Sequence, residues 1–375
     1  MRIIDADTPS LILDLNKTRM NIERAKQKAA SLRVAWRPHL KTHKCVEVAR
    51  LQMHAPEGPA TVSTVKEAER FFEAGVRDMI YAVGIAPHKL PRIHALNSRG
   101  ADVKIILDNV AAARAVSAFC KENRTRIGVL IEIDCDGHRS GVKPDDPALV
   151  AVASALTDGA QLRGVLTHAG DSYNAKTTGE IAAAAEREVR GANQAAETLR
   201  KAGLPVQIVS VGSTPTLGFA TQAAGITEYR SGVGSFFDLV MAGLGVCRIE
   251  DIAVTVLVSV IGHQLEKGWI ITDGGWMAMS RDRGTASQKV DCGYGLVCDE
   301  KGVLLAEYWV SGANQEHGII SRRDGGPVRI EDFPIDRRLR ILPNHACPTC
   351  AAFDEYLVTE DNVTVSGHWP RFNHW

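Results

Sequence analysis

Lys41 stands in the run Arg37-Pro38-His39-Leu40-Lys41-Thr42-His43-Lys44. An apolar stretch precedes it and a helix-like one follows, which predicts an amine at the C-terminal end of a strand. Lysine forms Schiff bases when burial or neighbouring cations lower its pKa, and His39, His43 and Lys44 crowd this one. The competing reading is a solvated basic loop. Three other groups of residues bear on the choice. Gly212-Ser213-Thr214-Pro215-Thr216 and Ser231-Gly232-Val233-Gly234-Ser235 each combine glycine, which lets backbone N–H groups approach an anion, with hydroxyl donors. Either cluster alone would read as a tight turn. A further pair, His345 and Cys347, is spaced His-x-Cys, so that both side chains of a short extended segment could face one ion.

The elements that must position these residues follow from a regular alternation. Strand-like runs at 34–40, 60–65, 78–83, 103–107, 127–134, 162–168, 206–211 and 226–231 are separated by amphipathic helical stretches. The longest, 178–202, carries Glu186, Arg187, Glu188 and Arg190 as a solvent-facing helix outside a barrel would, and Gly203 stops it. Strict strand–helix alternation implies parallel pairing with right-handed crossovers, and eight units imply an α/β fold closed into a (β/α)8 TIM-like barrel. An open doubly wound sheet is the second choice.

After about residue 247 the rhythm becomes short strands with close turns, at 252–261, 268–272, 303–311, 338–342, 356–359 and 363–367. This predicts a mostly antiparallel β domain. The strand at 9–15 would be a ninth in the barrel and is assigned to the β domain, giving a barrel over 20–248 and a β domain of 1–19 with 249–375.

Barrel active sites lie at the C-terminal ends of the strands, with phosphate commonly held by the loops after strands seven and eight. Gly212-Ser213-Thr214 follows the seventh and Gly232-Val233 the eighth. The fifth strand ends in Glu132-Ile133-Asp134-Cys135-Asp136-Gly137-His138-Arg139-Ser140-Gly141, the sixth in Thr167-His168-Ala169-Gly170-Asp171-Ser172-Tyr173, and the second supplies Ser63 and Thr64. An amine for a Schiff base, two phosphate loops and a ring of polar strand ends together describe a pyridoxal phosphate site.

Composition narrows the partner. The chain has 375 residues, is 45% hydrophobic and carries a formal net charge of +0. It has no basic stripe and no block of like charge, so neither nucleic acid nor a membrane surface is indicated and the expected partner is a small molecule. No secretory h-region or long uncharged apolar stretch is present, and the expected location is cytoplasmic. Eight scattered cysteines make no disulfide framework. Cys347 and Cys350 are spaced Cys-x-x-Cys, but no second such pair completes a four-cysteine site. A redox pair, or a buried thiol beside a surface histidine, competes with metal binding.

The segments Pro38-His39-Leu40-Lys41-Thr42-His43-Lys44, Asp136-Gly137-His138-Arg139-Ser140-Gly141, Gly212-Ser213-Thr214-Pro215-Thr216 and Asn344-His345-Ala346-Cys347-Pro348-Thr349 together resemble the fold-type III pyridoxal phosphate enzymes, those of alanine racemase type. Within them the chain is similar to the D-serine dehydratase and D-threonine aldolase group. The stretches 209–214, 275–281 and 312–318 resemble those of its bacterial D-threo-3-hydroxyaspartate dehydratases.

The resemblance implies that Lys41 carries the cofactor, that Ser63, His168, Tyr173, Gly212, Ser213, Thr214, Gly232 and Val233 surround it, and that Arg139 lies near its phenolic oxygen or the substrate. It implies a homodimer and substrate-pocket walls at Trp276, Tyr294, His263 and Asn314. His345 and Cys347 would bind a divalent metal; thiolate with imidazole favours zinc over manganese. The implied activity is dehydration of a D-3-hydroxy amino acid, D-threo-3-hydroxyaspartate or D-serine, to a 2-oxo acid and ammonia. Aldol cleavage to glycine and an aldehyde is the alternative. The aldolase branch carries Gln where this chain has Ser63 and Tyr where it has His168 and Val233, which weakens that assignment. A racemase lacks its second base here, and a non-catalytic cofactor carrier would lack a large β domain.

Overall fold

In the computed structural model, which describes residues 1–375, β1 (Ser10–Asp14) and the helix Leu15–Ser31 precede the alternating part of the chain. Eight strands follow in parallel: β2 (Ala35–Pro38), β3 (Ala60–Val62), β4 (Asp78–Gly84), β5 (Asp102–Leu107), β6 (Ile127–Ile133), β7 (Ala160–Thr167), β8 (Ile208–Val211) and β9 (Glu228–Ser231). Seven of the eight intervals of a closed barrel are ladders, in the order β2-β9-β8-β7-β6-β5-β4-β3. The eighth is a parallel bridge between His39 and Thr61, with Leu40 N–H donating to the Thr61 carbonyl at 2.9 Å. That bridge makes the sheet a nearly closed barrel and rules out the open doubly wound arrangement. All seven residues of β6 are buried, as a parallel strand covered on both faces requires.

Side-chain oxygens of Thr64, Asn109 and Thr177 accept backbone N–H groups at the starts of the helices Val65–Glu73, Val110–Glu122 and Thr178–Lys201. Each cap satisfies a donor that the helix itself cannot. The last helix departs from expectation at one residue. Glu186, Arg187 and Arg190 are exposed, but Glu188 is fully buried against the barrel.

The barrel interior is not purely apolar. Buried Arg37 donates to Glu228 at 2.8 Å and to both oxygens of Asp78 at 3.0 and 3.1 Å. Arg230 donates to Ser210 Oγ at 2.7 Å and to the Thr167 carbonyl at 2.6 Å. Buried cations need such complete pairing to be tolerated.

The second architecture comprises β10 (Val254–Gln264), β11 (Trp269–Thr272), β12 (Gly295–Cys298), β13 (Leu304–Ala313), β14 (Gly318–Arg322), β15 (Arg338–Pro343), β16 (Glu355–Thr359) and β17 (Gly367–Pro370). Six of them close a ring, β10-β11-β14-β13-β12-β15, and β1, β16 and β17 extend the sheet beyond β10. β12 and β14 are additions to the strands expected. The strand expected at 363–367 begins only at Gly367, because Asp361 Oδ1 accepts the N–H groups of Val363 and Thr364 and folds 361–364 into a turn.

The chain divides into two compact units, Met1–Glu23 with Val233–Asn373, and Arg24–Gly232 with His374–Trp375. The rhythm of strands puts the later boundary at 248/249 instead. Residues 233–248 hold no strand, only the short turn Val233–Ser235 and a five-residue helix, Leu239–Gly243, whose Val240 N–H donates to the Asn344 carbonyl of the β unit at 3.1 Å.

Candidate active site

Lys41 sits in the turn that follows β2, exposed, at the C-terminal end of the barrel. His39 precedes it by two residues and directs Nε2 toward Ser63 Oγ, 3.3 Å away at the end of β3, while its Nδ1 has no partner. Burial, with the positive field of Lys41 and Arg230, holds the His39 pKa well below the ordinary imidazole value. His168, just beyond β7, lies with Nδ1 3.0 Å from the Gly212 carbonyl. Burial lowers its pKa to about 3, outweighing the bond to Gly212 and assisted by Lys41, Arg230 and Arg139. Two neutral imidazoles therefore share the field of Lys41.

The other expected neighbours are engaged elsewhere. His43 is buried, with Nε2 2.8 Å from Gln52 Oε1 and Nδ1 accepting the Cys45 N–H at 3.1 Å. Lys44 pairs with Glu67 at 3.3 Å. The cations facing the histidines beside Lys41 are Arg230 and Arg139.

The loop after β8 is built around Glu188. Its Oε1 accepts the N–H groups of Gly212 at 2.8 Å and Ala169 at 3.0 Å, and its Oε2 accepts the Thr216 hydroxyl at 2.8 Å. Burial raises the Glu188 pKa, opposed by these donors and by Arg230. Gly212 has φ +136°, and a Cβ there would lie 2.1 Å from the Arg230 carbonyl oxygen, so only glycine fits. Ser213 caps the helix Thr214–Phe219, accepting Thr216 N–H at 3.1 Å, and its hydroxyl also meets Ser172 Oγ at 3.0 Å.

The expected anion donors thus thin out: Gly212 N–H and the Ser213 hydroxyl are spoken for. Thr214 Oγ1, buried and without a partner, remains. Gly232, after β9, packs against His39, where a Cβ would meet the carbonyl oxygen at 3.2 Å; Val233, next in the chain, is buried and opens the turn Val233–Ser235.

Arg139 is exposed on the loop after β6, 3.6 Å from Glu132 Oε1. The Tyr173 ring centroid is 6.2 Å from that of His168, tilted by 47°. The barrel therefore brings Lys41, Ser63, His168, Tyr173, Gly212, Ser213, Thr214 and Gly232 to one end, with Arg139 on its rim.

The second cluster lies wholly in the β unit. His345 Nδ1 is 2.7 Å from Asp282 Oδ2, and the Cys347 side chain is within hydrogen-bonding reach of the same imidazole. Burial works to lower the His345 pKa, but Asp282, Cys347 and Asp238 together raise it to about 11. Asp238 is buried, caps the helix Leu239–Gly243 and accepts the Ala346 N–H at 2.9 Å. Cys350 is fully buried, and burial pushes its thiol up to about 12.

His345, Cys347 and their acidic neighbours do not form a set of three side chains placed to hold one metal ion. Nearby, Arg283 pairs with Asp291 at 2.7 Å, whereas Arg281 lies over the Trp276 ring at 4.9 Å. His263 is committed to the Phe333 carbonyl at 2.7 Å.

Sequence reasoning missed Glu188, Asp238 and Asp282. The helical spacing of Glu188 with the buried Ala184, Ala185 and Ala192 was an available signal. Asp282 gave none, being 63 residues from the histidine that it meets.

The chain matches the family model described as alanine racemase, N-terminal domain, over residues 13–239, and that of a putative serine dehydratase domain over 253–359. It is 52% identical to D-threo-3-hydroxyaspartate dehydratase of Delftia sp. (strain HT23), covering 100% of this chain and 99% of that one. The solved structure of the Delftia enzyme superposes with a TM-score of 0.96 at 52% identity and full coverage of both chains. A cysteine-to-alanine variant of that dehydratase has also been solved, in a metal-free form. D-threonine aldolase from Filomicrobium marinum is 26% identical with a TM-score of 0.82, covering 99% of this chain and 96% of that one. The chain belongs to the alanine racemase-like enzymes, in the branch that joins their barrel to a serine dehydratase domain.

Proposed function

We propose that this chain is a pyridoxal phosphate- and divalent metal-dependent lyase that dehydrates a D-3-hydroxy amino acid, D-threo-3-hydroxyaspartate before D-serine, to a 2-oxo acid and ammonia. The observation that carries the reading is a strand-end lysine beside two imidazoles held neutral, next to a loop with a buried, unpartnered Thr214 hydroxyl. Those groups fit a cofactor bearing an aldehyde, an aromatic ring and a phosphate. Lys41 would hold the aldehyde carbon, Ser63, His168 and Tyr173 the ring, and Thr214, Gly232 and Val233 the phosphate end, on a loop that Gly212 and Ser213 shape, with Arg139 at the rim. The donor set of His345 and Cys347 fits a borderline-soft ion, zinc before manganese.

When bound, pyridoxal phosphate supplies an electron sink for the α-carbon and the metal a Lewis acid for the β-hydroxyl. The Lys41 amine takes the α-proton. His168, donating Nδ1–H to Gly212, stays uncharged and adds no competing acid. Because Arg283 is already paired with Asp291, Arg281 is the guanidinium we assign to a β-carboxylate. Resemblance supports a homodimer and the make-up of the sequence a cytoplasmic location; no helix is long and apolar enough to cross a membrane.

Aldol cleavage is the second reading, favoured by the similarity to a D-threonine aldolase. Incubation with D-threonine separates the two: 2-oxobutyrate and ammonia are expected, and glycine with acetaldehyde would overturn the dehydratase assignment.

A further inference from the structure

We infer that Asp282 is the positioning residue of the metal site, holding the His345 ring so that Nε2 faces the ion; this rests on the reading of His345 and Cys347 as its ligands. A metal-bound imidazole is normally oriented by a hydrogen bond from its other nitrogen to a carboxylate or carbonyl, which fixes both tautomer and ring plane. Asp282 Oδ2 accepts from Nδ1 at 2.7 Å, with both side chains a little over one third exposed.

The pair is built into the fold. Thr349, fully buried, donates its hydroxyl to the Met279 carbonyl at 2.8 Å and has the His345 carbonyl within 3.0 Å, so the turn bearing Cys347 grips the start of the Asp282 loop. Buried Asn344, the residue before His345, accepts the N–H and hydroxyl of Thr285 at 3.1 and 2.6 Å and donates to the Gly293 carbonyl at 2.6 Å, fastening the end of the loop. Between these anchors Ser280 adopts φ +78° and ψ 154°, a conformation unfavourable for any residue but glycine, and its Oγ accepts the Asp282 N–H at 3.0 Å. Strain of this kind persists only where the surroundings over-determine it. By contrast His368 and Glu355, 3.1 Å apart on β17 and β16, are each about half exposed and have no such frame.

Asp282 is not counted as a third ligand, because its carboxylate is spent on Nδ1. Titration of the purified holoenzyme, stripped of metal, with Co2+ in competition with a chelator tests the role. Asp282→Ala should weaken Co2+ binding about 10- to 100-fold while keeping the near-ultraviolet thiolate absorption contributed by Cys347. Asp282→Asn, whose amide oxygen still accepts from Nδ1, should stay within a few fold of the parent. Wild-type affinity in Asp282→Ala would overturn the inference, as would loss of affinity accompanied by a changed visible spectrum in both variants, which would make Asp282 a ligand. Cys347→Ala and His345→Ala separate the two levels. If they too bind Co2+ normally, the metal site itself is misassigned; if they alone lose it, only the role of Asp282 falls.

Discussion

The roles proposed for Lys41 and Arg281 are ones that single side chains can decide. Borohydride reduction of the yellow holoenzyme followed by peptide mapping should place the pyridoxyl label on Lys41. A label on Lys44 would be at odds with its ion pair to Glu67 and would sink the barrel-end assignment. Arg281→Ala should lower kcat/KM for D-threo-3-hydroxyaspartate about tenfold to a hundredfold, the loss of one charge-assisted contact of roughly 1.5–3 kcal/mol. D-serine, lacking the β-carboxylate, should be nearly unaffected. Equal losses on both substrates would mean that Arg281 serves packing on Trp276 and not recognition.

At the scale of elements, the loop after β8 depends on a helix on the outside of the barrel. Glu188, from the helix Thr178–Lys201, holds Gly212 and Ala169 by their N–H groups and Thr216 by its hydroxyl. Glu188→Gln turns one acceptor into a donor and leaves a buried partner unmatched, at a cost of about 1–3 kcal/mol. Urea unfolding should show that loss, and pyridoxal phosphate should bind more weakly, since Thr214 follows directly on this loop. Unchanged cofactor affinity would separate the loop from the cofactor. Composition alone makes Glu188 look like the carboxylates on the outer face, and only its helical spacing from Ala184 and Ala192 marks it as inward-facing.

For the molecule as a whole, acid and metal removal act on different parts. The unfolded chain protonates its histidines near the ordinary pKa of 6.5, whereas folded His168 resists until about 3. Its contribution is therefore present above about 6.5 and is lost as pH falls toward 3. Each unit below 6.5 should cost up to about 1.4 kcal/mol from this group. Urea midpoints measured between neutral and mildly acidic pH should fall accordingly, and His168→Asn should flatten the slope. Chelation should abolish dehydration while the cofactor absorbance persists, because the proposed metal ligands lie in the β unit and Lys41 in the barrel. Full activity in metal-free enzyme would remove the Lewis acid from the mechanism.

The sequence by itself determined the periodic content of the fold. Apolar runs of strand length separated by amphipathic helices are local signals, and all eight barrel strands lie where those runs are, with ends shifted by a few residues. The lysine at the end of β2 and the glycine loops after β8 and β9 were legible for the same reason, since topology places every strand's C-terminal end at one face. Short strands without alternation were not: β12, four buried residues, reads like any apolar turn. Tertiary structure alone decided which polar groups are free and which are committed. His43 and Lys44 adjoin Lys41 in sequence yet pair with Gln52 and Glu67, while Arg230, nearly 190 residues away, supplies the field. Asp282 meets His345 across 63 residues. A hydrogen bond or a charge acts through distance in space, and no local pattern in the chain encodes that distance between segments folded against each other.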